Sequence, residues 1–237
     1  MKTFRYFSLT MLLALVLPAL LLAAPGREVR AVAAFTQLGL SNSAKVVLRQ
    51  GSPQRVEVEA ATADLARIET VVEGGRLRIS TKQQTGKMWS SDNLEGPVTV
   101  YVTMPDIAEL GVSGSGQIKA EEAVKVSRLS LAVSGSGRIL LPQLTASELK
   151  SAVSGSGEIL VAGLCPQHEA RISGSGNVRA SELRTEASAI RISGSGTGRL
   201  YASRTLEASI AGSGDVYVRG GATVSSKIAG SGRVRKE

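Results

Sequence analysis

The tetrapeptide Ser-Gly-Ser-Gly recurs through the second half of the chain and leaves few folds open to it. It begins at Ser113, Ser134, Ser154, Ser173 and Ser193, and an Ala-Gly-Ser-Gly form begins at Ala211 and Ala229. The spacings are 21, 20, 19, 20, 18 and 18 residues. Self-similarity at this period marks a solenoid, because one short repeat cannot bury its own apolar face and must stack on its neighbours. A Gly/Ser linker would carry no apolar residues at fixed offsets. Here the residue before each tetrapeptide is Val112, Val133, Val153, Ile172, Ile192, Ile210 or Ile228, always β-branched. Such side chains pack well on a pleated surface.

The flanking positions alternate. Two residues before the β-branched position stand Leu110, Leu131, Ser151, Ala170, Ile190, Ala208 and Ser226. Between them lie Gly111, Ala132, Ala152, Arg171, Arg191, Ser209 and Lys227. Beyond the tetrapeptide an outward residue (Gln117, Arg138, Glu158, Asn177, Thr197, Asp215, Arg233) precedes an inward one (Ile118, Ile139, Ile159, Val178, Gly198, Val216, Val234). Alternation of this kind describes strands with one face inward and one toward water. Each repeat therefore predicts a strand, a tight corner, a second strand and a looser return, three short strands in all. Gly198 interrupts the inward column, so a bulge or register shift is expected there. The fold class expected is all-β, a right-handed parallel β-helix with Ser-Gly-Ser-Gly corners, the hand following from parallel crossover connections. Seven coils at about 4.8 Å each give a rod on the order of 34 Å long.

The corner glycines are Gly114 and Gly116, Gly135 and Gly137, Gly155 and Gly157, Gly174 and Gly176, Gly194 and Gly196, Gly212 and Gly214, Gly230 and Gly232. Glycine enters the left-handed region at no steric cost, so each corner is expected to hold at least one residue there. The serines are small and can hydrogen-bond to backbone or to the same serine one coil away. Ala211 and Ala229 keep the size and lose the hydroxyl, which makes size the stricter demand. A serine-lined groove or a nucleophilic serine is the alternative.

Residues 1–26 read as a signal peptide. Lys2 and Arg5 precede an apolar run from Leu9 to Ala24, and Ala24-Pro25-Gly26 offers small residues for cleavage before Arg27. The alternative is an uncleaved anchor, although Pro18 interrupts a run already short for a membrane span. No later segment is apolar enough to span, so no membrane span is expected after cleavage. Loss of the leader leaves 26 basic against 20 acidic residues. On an exported chain that excess is either a solvated, soluble surface or points to anionic glycans or lipid headgroups rather than nucleic acid. A single cysteine, Cys165, allows no internal disulfide.

Residues 27–105 form an N-terminal β region before the repeats of 106–237. Val56-Glu57-Val58-Glu59 alternates, Ile68 to Val72 leads through Glu73-Gly74-Gly75 into Leu77-Arg78-Ile79 as a hairpin, and Val98 to Val102 is a strand. Asp64-Leu65-Ala66-Arg67 suggests one helical turn. The polar loop between Lys82 and Gly96 carries Trp89.

The opening Arg30-Ala31-Val32-Ala33-Ala34-Phe35, the segment Val46-Val47-Leu48-Arg49-Gln50-Gly51, the hairpin and the Ser-Gly-Ser-Gly array together resemble the head GIN domain family, the "putative auto-transporter adhesin" domain. The resemblance covers about residues 27–236. It implies an exported right-handed β-helix with an adhesin-like role and supplies no catalytic or ligand residues. An autotransporter barrel is not expected in this chain.

Enzymes on this fold need paired carboxylates or a metal with a base. The four aspartates, Asp64, Asp92, Asp106 and Asp215, form no cluster, and Glu121-Glu122 would point to opposite faces. His168 falls where other coils have Leu129, Leu149, Leu206 and Val224, a packing position. Zinc and repeated calcium ligands are missing. No catalytic residue, metal or cofactor is therefore expected. Binding is the positive reading: Arg171 and Arg191 take equivalent outward places in successive coils, about 5 Å apart, and Lys227 follows two coils later. That ladder suits the anionic groups of a polymer, with Trp89 available to stack on a sugar. The partner expected is a cell-surface polysaccharide or protein. An ordinary basic ladder flanked by Glu169 and Glu207, on an envelope scaffold or spacer, is the alternative.

Overall fold

The computed structural model describes residues 26–82 and 94–237. The expected leader up to residue 25, and Trp89 with most of its loop, lie outside the described residues. The alternating pattern becomes two sheets that face each other across one core. In each turn, the strand leading into a corner joins a ten-stranded sheet and the strand leaving it joins a twelve-stranded sheet. Arg128–Gly135, Glu148–Gly155, Gln167–Gly174, Ala187–Gly194, Thr205–Gly212 and Thr223–Gly230 pair in parallel with no slip in register. Seven corners thus bound six turns.

The three expected strands per turn are two in most coils. The second and third run together across a bulge, which falls between Leu141 and Leu144 in one coil and between Leu160 and Ala162 in the next. Pro142 sits at the first of these breaks, where it has no N–H to give to the ladder.

Both sheets run on into the region before residue 105. Gln37–Leu40 and Lys45–Gln50 continue the parallel pairing. The stack then ends in antiparallel strands. Arg55–Ala60 pairs Thr99–Met104 and Gly26–Arg30 on one sheet, and the hairpin Ile68–Glu73/Arg76–Thr81 extends the other. Arg27 and Glu59, 2.6 Å apart, dress this edge with charge, a common protection against further strand pairing. The helical turn spans Thr62–Leu65, and its buried Asp64 accepts the Glu95 N–H at 2.6 Å.

The corner works by two different glycines. The first, from Gly135 onward, lies in the left-handed region, with φ of 104° at Gly155 and 125° at Gly230. The second never does. A Cβ on Gly157 would nevertheless come within 2.7 Å of the Gly137 carbonyl oxygen, and closer still to Cγ1 of Val133. The β-branched residue of one coil thus occupies the space that the second glycine of the next coil leaves empty. Backbone bonds complete the joint. The Ser156 N–H donates to Gly135 O at 2.9 Å and the Glu158 N–H to Gly137 O at 3.0 Å, and later corners repeat the pair.

Two expectations about the corner need correction. Gly114 stays outside the left-handed region, as does Gly116, because the first corner stacks on the unlike loop around Asn42: the Gly116 N–H donates to Asn42 O at 3.0 Å. The serine hydroxyls do not form a ladder. Only Ser113 meets an equivalent, Ser41, at 3.1 Å. The other tetrapeptide serines are exposed, with no side-chain hydrogen bond among the described residues.

The inward columns form the core. Val133, Val153, Ile172, Ile192 and Ile210 are each 2 % exposed and directly paired from coil to coil. Gly198 causes no bulge, against expectation; it pairs in register with Val178 and Val216. Ile190 of the facing sheet fills the room a side chain there would need. Where Ile159, Val178 and Val216 are large, their facing partners Ser151, Ala170 and Ala208 are small. From Ser151 onward large and small residues thus offset each other across the two sheets, whereas in the earlier turns Leu110 with Ile118 and Leu131 with Ile139 are large on both.

His168 replaces leucine in an inward column and is 3 % exposed. Its Nε2 lies 3.0 Å from Ser151 Oγ, and Nδ1 has no partner. Burial pushes its pKa down to about 4. The unfolded chain, titrating near 6.5, takes up a proton that the folded chain refuses. Stability from this site is complete above that value and falls as pH drops toward 4, by about 3 kcal/mol. Urea melts from pH 7 to pH 4 are expected to show this slope, and His168→Leu to flatten it; equal slopes would remove His168 as the cause.

The corner makes an ordered prediction for melting. Gly155→Val meets left-handed strain and a neighbouring carbonyl, and Gly157→Val meets Val133; each is expected to cost about 3 kcal/mol or more. Ser156→Ala removes an unpartnered exposed hydroxyl and is expected to stay within about 0.5 kcal/mol of the parent. Valine variants that melt with the parent would refute the corner.

Candidate functional site

Outward columns on a solenoid repeat at one strand spacing, so any site is a strip. On the ten-stranded sheet Arg171 and Arg191 stand directly opposite each other in register. Lys227 lies two strands further on, with Ser209 between. The two arginines do not present a bare cationic pair. One oxygen of Glu169 takes both, at 2.6 Å from Arg171 and 2.9 Å from Arg191. Beside them runs a shallow groove of about 520 Å³, floored by Ala132 and Ala152 and walled by Ser154, Ser173 and the arginine stems.

The opposite face carries residues that the sequence reading passed over. Thr197–Tyr201, Asp215–Arg219 and Arg233–Lys236 are neighbouring strands of the twelve-stranded sheet. Their register sets Arg199, Tyr217 and Arg235 in one outward column. The guanidinium centres lie 4.9 Å and 5.9 Å from the Tyr217 ring centroid. Arg184 stacks on Tyr201 at 4.7 Å. Among the described residues none of these three arginines has a carboxylate within salt-bridge distance. Arg179 and Arg219 beside them are held, by Glu158 at 2.7 Å and Glu182 at 3.0 Å. The signal was present in the repeat: Arg179, Arg199, Tyr217 and Arg235 share one offset, the outward position directly after the inward residues Val178, Gly198, Val216 and Val234.

Groups with nucleophilic or metal-binding chemistry are buried or dispersed. Ser151 and His168 form a hydrogen-bonded pair inside the solenoid, 2 % and 3 % exposed. Cys165 is fully buried, donates to Gln167 O at 3.1 Å, and burial pushes its thiol up to about 11, far from the thiolate a nucleophile requires. Among the described residues no three His, Cys, Asp or Glu side chains converge on a metal position, and no helix is long and apolar enough to cross a membrane.

The fold has solved relatives. A putative adhesin from Bacteroides fragilis superposes with a TM-score of 0.81 at 19 % identity, covering 91 % of this chain and 98 % of its own. A protein from Parabacteroides distasonis named a putative lipid binding protein gives 0.77 at 23 %, covering 91 % and 97 %. A putative adhesin from Parabacteroides merdae gives 0.72 at 19 %, with the same coverage. At these identities the likeness is one of fold. A search of curated proteins finds no match. The family model described as "putative auto-transporter adhesin, head GIN domain" matches residues 34–222, and with that span the chain belongs to the head GIN domain family.

Proposed function

We propose that the chain is an exported, non-catalytic adhesin-like module that binds an extended anionic polymer of the cell surface, with its leader removed near Arg27. The observation that carries this reading is the register of successive coils, which sets Arg199, Tyr217 and Arg235 in one outward column. A polymer lying along the solenoid axis would meet similar chemistry at each turn, about 4.8 Å apart. The adhesin-like character of the family and the burial of Ser151, His168 and Cys165 support binding over catalysis. An amphiphile in the groove over Ala132 and Ala152 is a second reading, favoured by that groove's apolar floor and by the Parabacteroides distasonis relative's name.

Immobilised protein is expected to retain polyuronate and sulfated polysaccharides, to pass neutral dextran, and to release the polyanions as salt rises. Equal retention of dextran, or none of any polymer, would leave the envelope-scaffold reading in its place. Saturable uptake of a fluorescent fatty acid, displaced by alkyl carboxylates, would favour the amphiphile.

A further inference from the structure

The two solvent faces of the solenoid are not electrostatically equivalent. On the ten-stranded sheet, Lys150 lies 3.3 Å from Glu148, and Glu169 neutralises Arg171 and Arg191 together. An anion meeting Lys150, Arg171 or Arg191 must displace a carboxylate before it can bind, which leaves Lys227, without an acidic partner among the described residues, as a single separate cation of that column. On the twelve-stranded sheet, the outward positions of the three strands named above hold one carboxylate, Asp215, which faces Arg233 in register. Arg184, Arg199, Arg233 and Arg235 have no acidic partner among the described residues. Three of them place the guanidinium carbon over a tyrosine ring, 4.7 to 5.9 Å from its centroid.

Stacking on a ring uses the face of the guanidinium and leaves its N–H edges free. Those edges are the part that matches a carboxylate in a two-pronged bond. A stacked arginine has also lost much of its rotamer freedom already, so little more is lost when an anion arrives. From these features we infer that the polymer docks on the twelve-stranded face, across Arg184–Tyr201 and the Arg199–Tyr217–Arg235 sandwich, and that its chemistry is a linear polysaccharide with a carboxylate on alternate sugars. The proposal rests on the anionic-polymer reading above and specifies its face and ligand class.

The alternate-sugar pattern follows from the spacing. Arg199 and Arg235 flank Tyr217 across two strand spacings, about 10 Å. That distance is comparable to one disaccharide repeat, so successive acidic groups of an alternating chain can reach successive arginines. A polymer acidic at every sugar would bring each intervening carboxylate to the outward end of Tyr217, where the column offers it no cation.

The test uses the full chain and an alternating glucuronate polymer (hyaluronan) as probe. Polygalacturonate, acidic at every sugar, and neutral dextran serve as comparisons. Arg199→Gln with Arg235→Gln is expected to weaken hyaluronan binding about tenfold or more, and Arg171→Gln with Arg191→Gln to change it by less than about twofold. All four side chains are exposed, and unchanged melts would show the fold intact. Tyr217→Leu keeps every charge and removes the sandwich; it is expected to weaken binding severalfold. Equal losses from the two arginine pairs, or a greater loss from Arg171 and Arg191, would overturn the choice of face. Tighter binding of polygalacturonate than hyaluronan would overturn the ligand class with the face intact. Binding of no polyanion by the parent would overturn the anionic-polymer reading itself, and this inference with it.

Discussion

Coil meets coil through contacts that leave no space for a side chain at the second corner glycine. At Gly157 the methyl of Val133 and the carbonyl of Gly137 already occupy the volume a Cβ would take. The β-branched residue, the glycine and the corner hydrogen bonds are one joint, and each coil supplies half of it to the next. The chain thereby gains a continuous apolar interior from repeats too short to bury anything alone. It does so without disulfides and with few aromatic rings. Cys165 is a buried, unpaired thiol, and the core is built from Val, Ile, Leu and Ala.

Because the joint constrains only the corner and the inward columns, the remaining positions are free to differ. The outward columns show the result. Ala132, Ala152, Arg171, Arg191, Ser209 and Lys227 follow one another along one face, and Lys119, Leu140, Leu160, Arg179, Arg199, Tyr217 and Arg235 along the other. A binding surface can be written on such a lattice without disturbing the fold. His168 shows the opposite case. It occupies an inward column, so its ring must stay neutral, and the fold carries an acid sensitivity that leucine would not give.

The repeat, the inward columns and the N-terminal hairpin were legible in the sequence because each depends on spacing along the chain. What was not legible depends on contacts between coils or across the core. Gly198 looked like a defect until Ile190 of the facing sheet was seen to fill its place. Gly114 shares the repeat motif but stacks on Asn42, and no pattern within the repeat announces that. Glu169 was recognised as a neighbour of the arginines, but its capture of both required the register and the rotamers. The Arg199–Tyr217–Arg235 column was readable in principle, by carrying the offsets one outward position further than the apolar alternation required.

The central claim is that the tetrapeptide is a rigid, hydrogen-bonded joint between coils. Native-state hydrogen exchange at the corner amides tests it most directly. The Ser136, Ser156, Ser175 and Ser195 N–H groups each donate to a glycine carbonyl of the preceding coil. They are expected to exchange as slowly as strand amides such as Val153, by way of unfolding that spans several turns. Exchange near the free-peptide rate at these serines, with the strands still protected, would show that the corners are flexible links and that the coils are held together by the sheets alone.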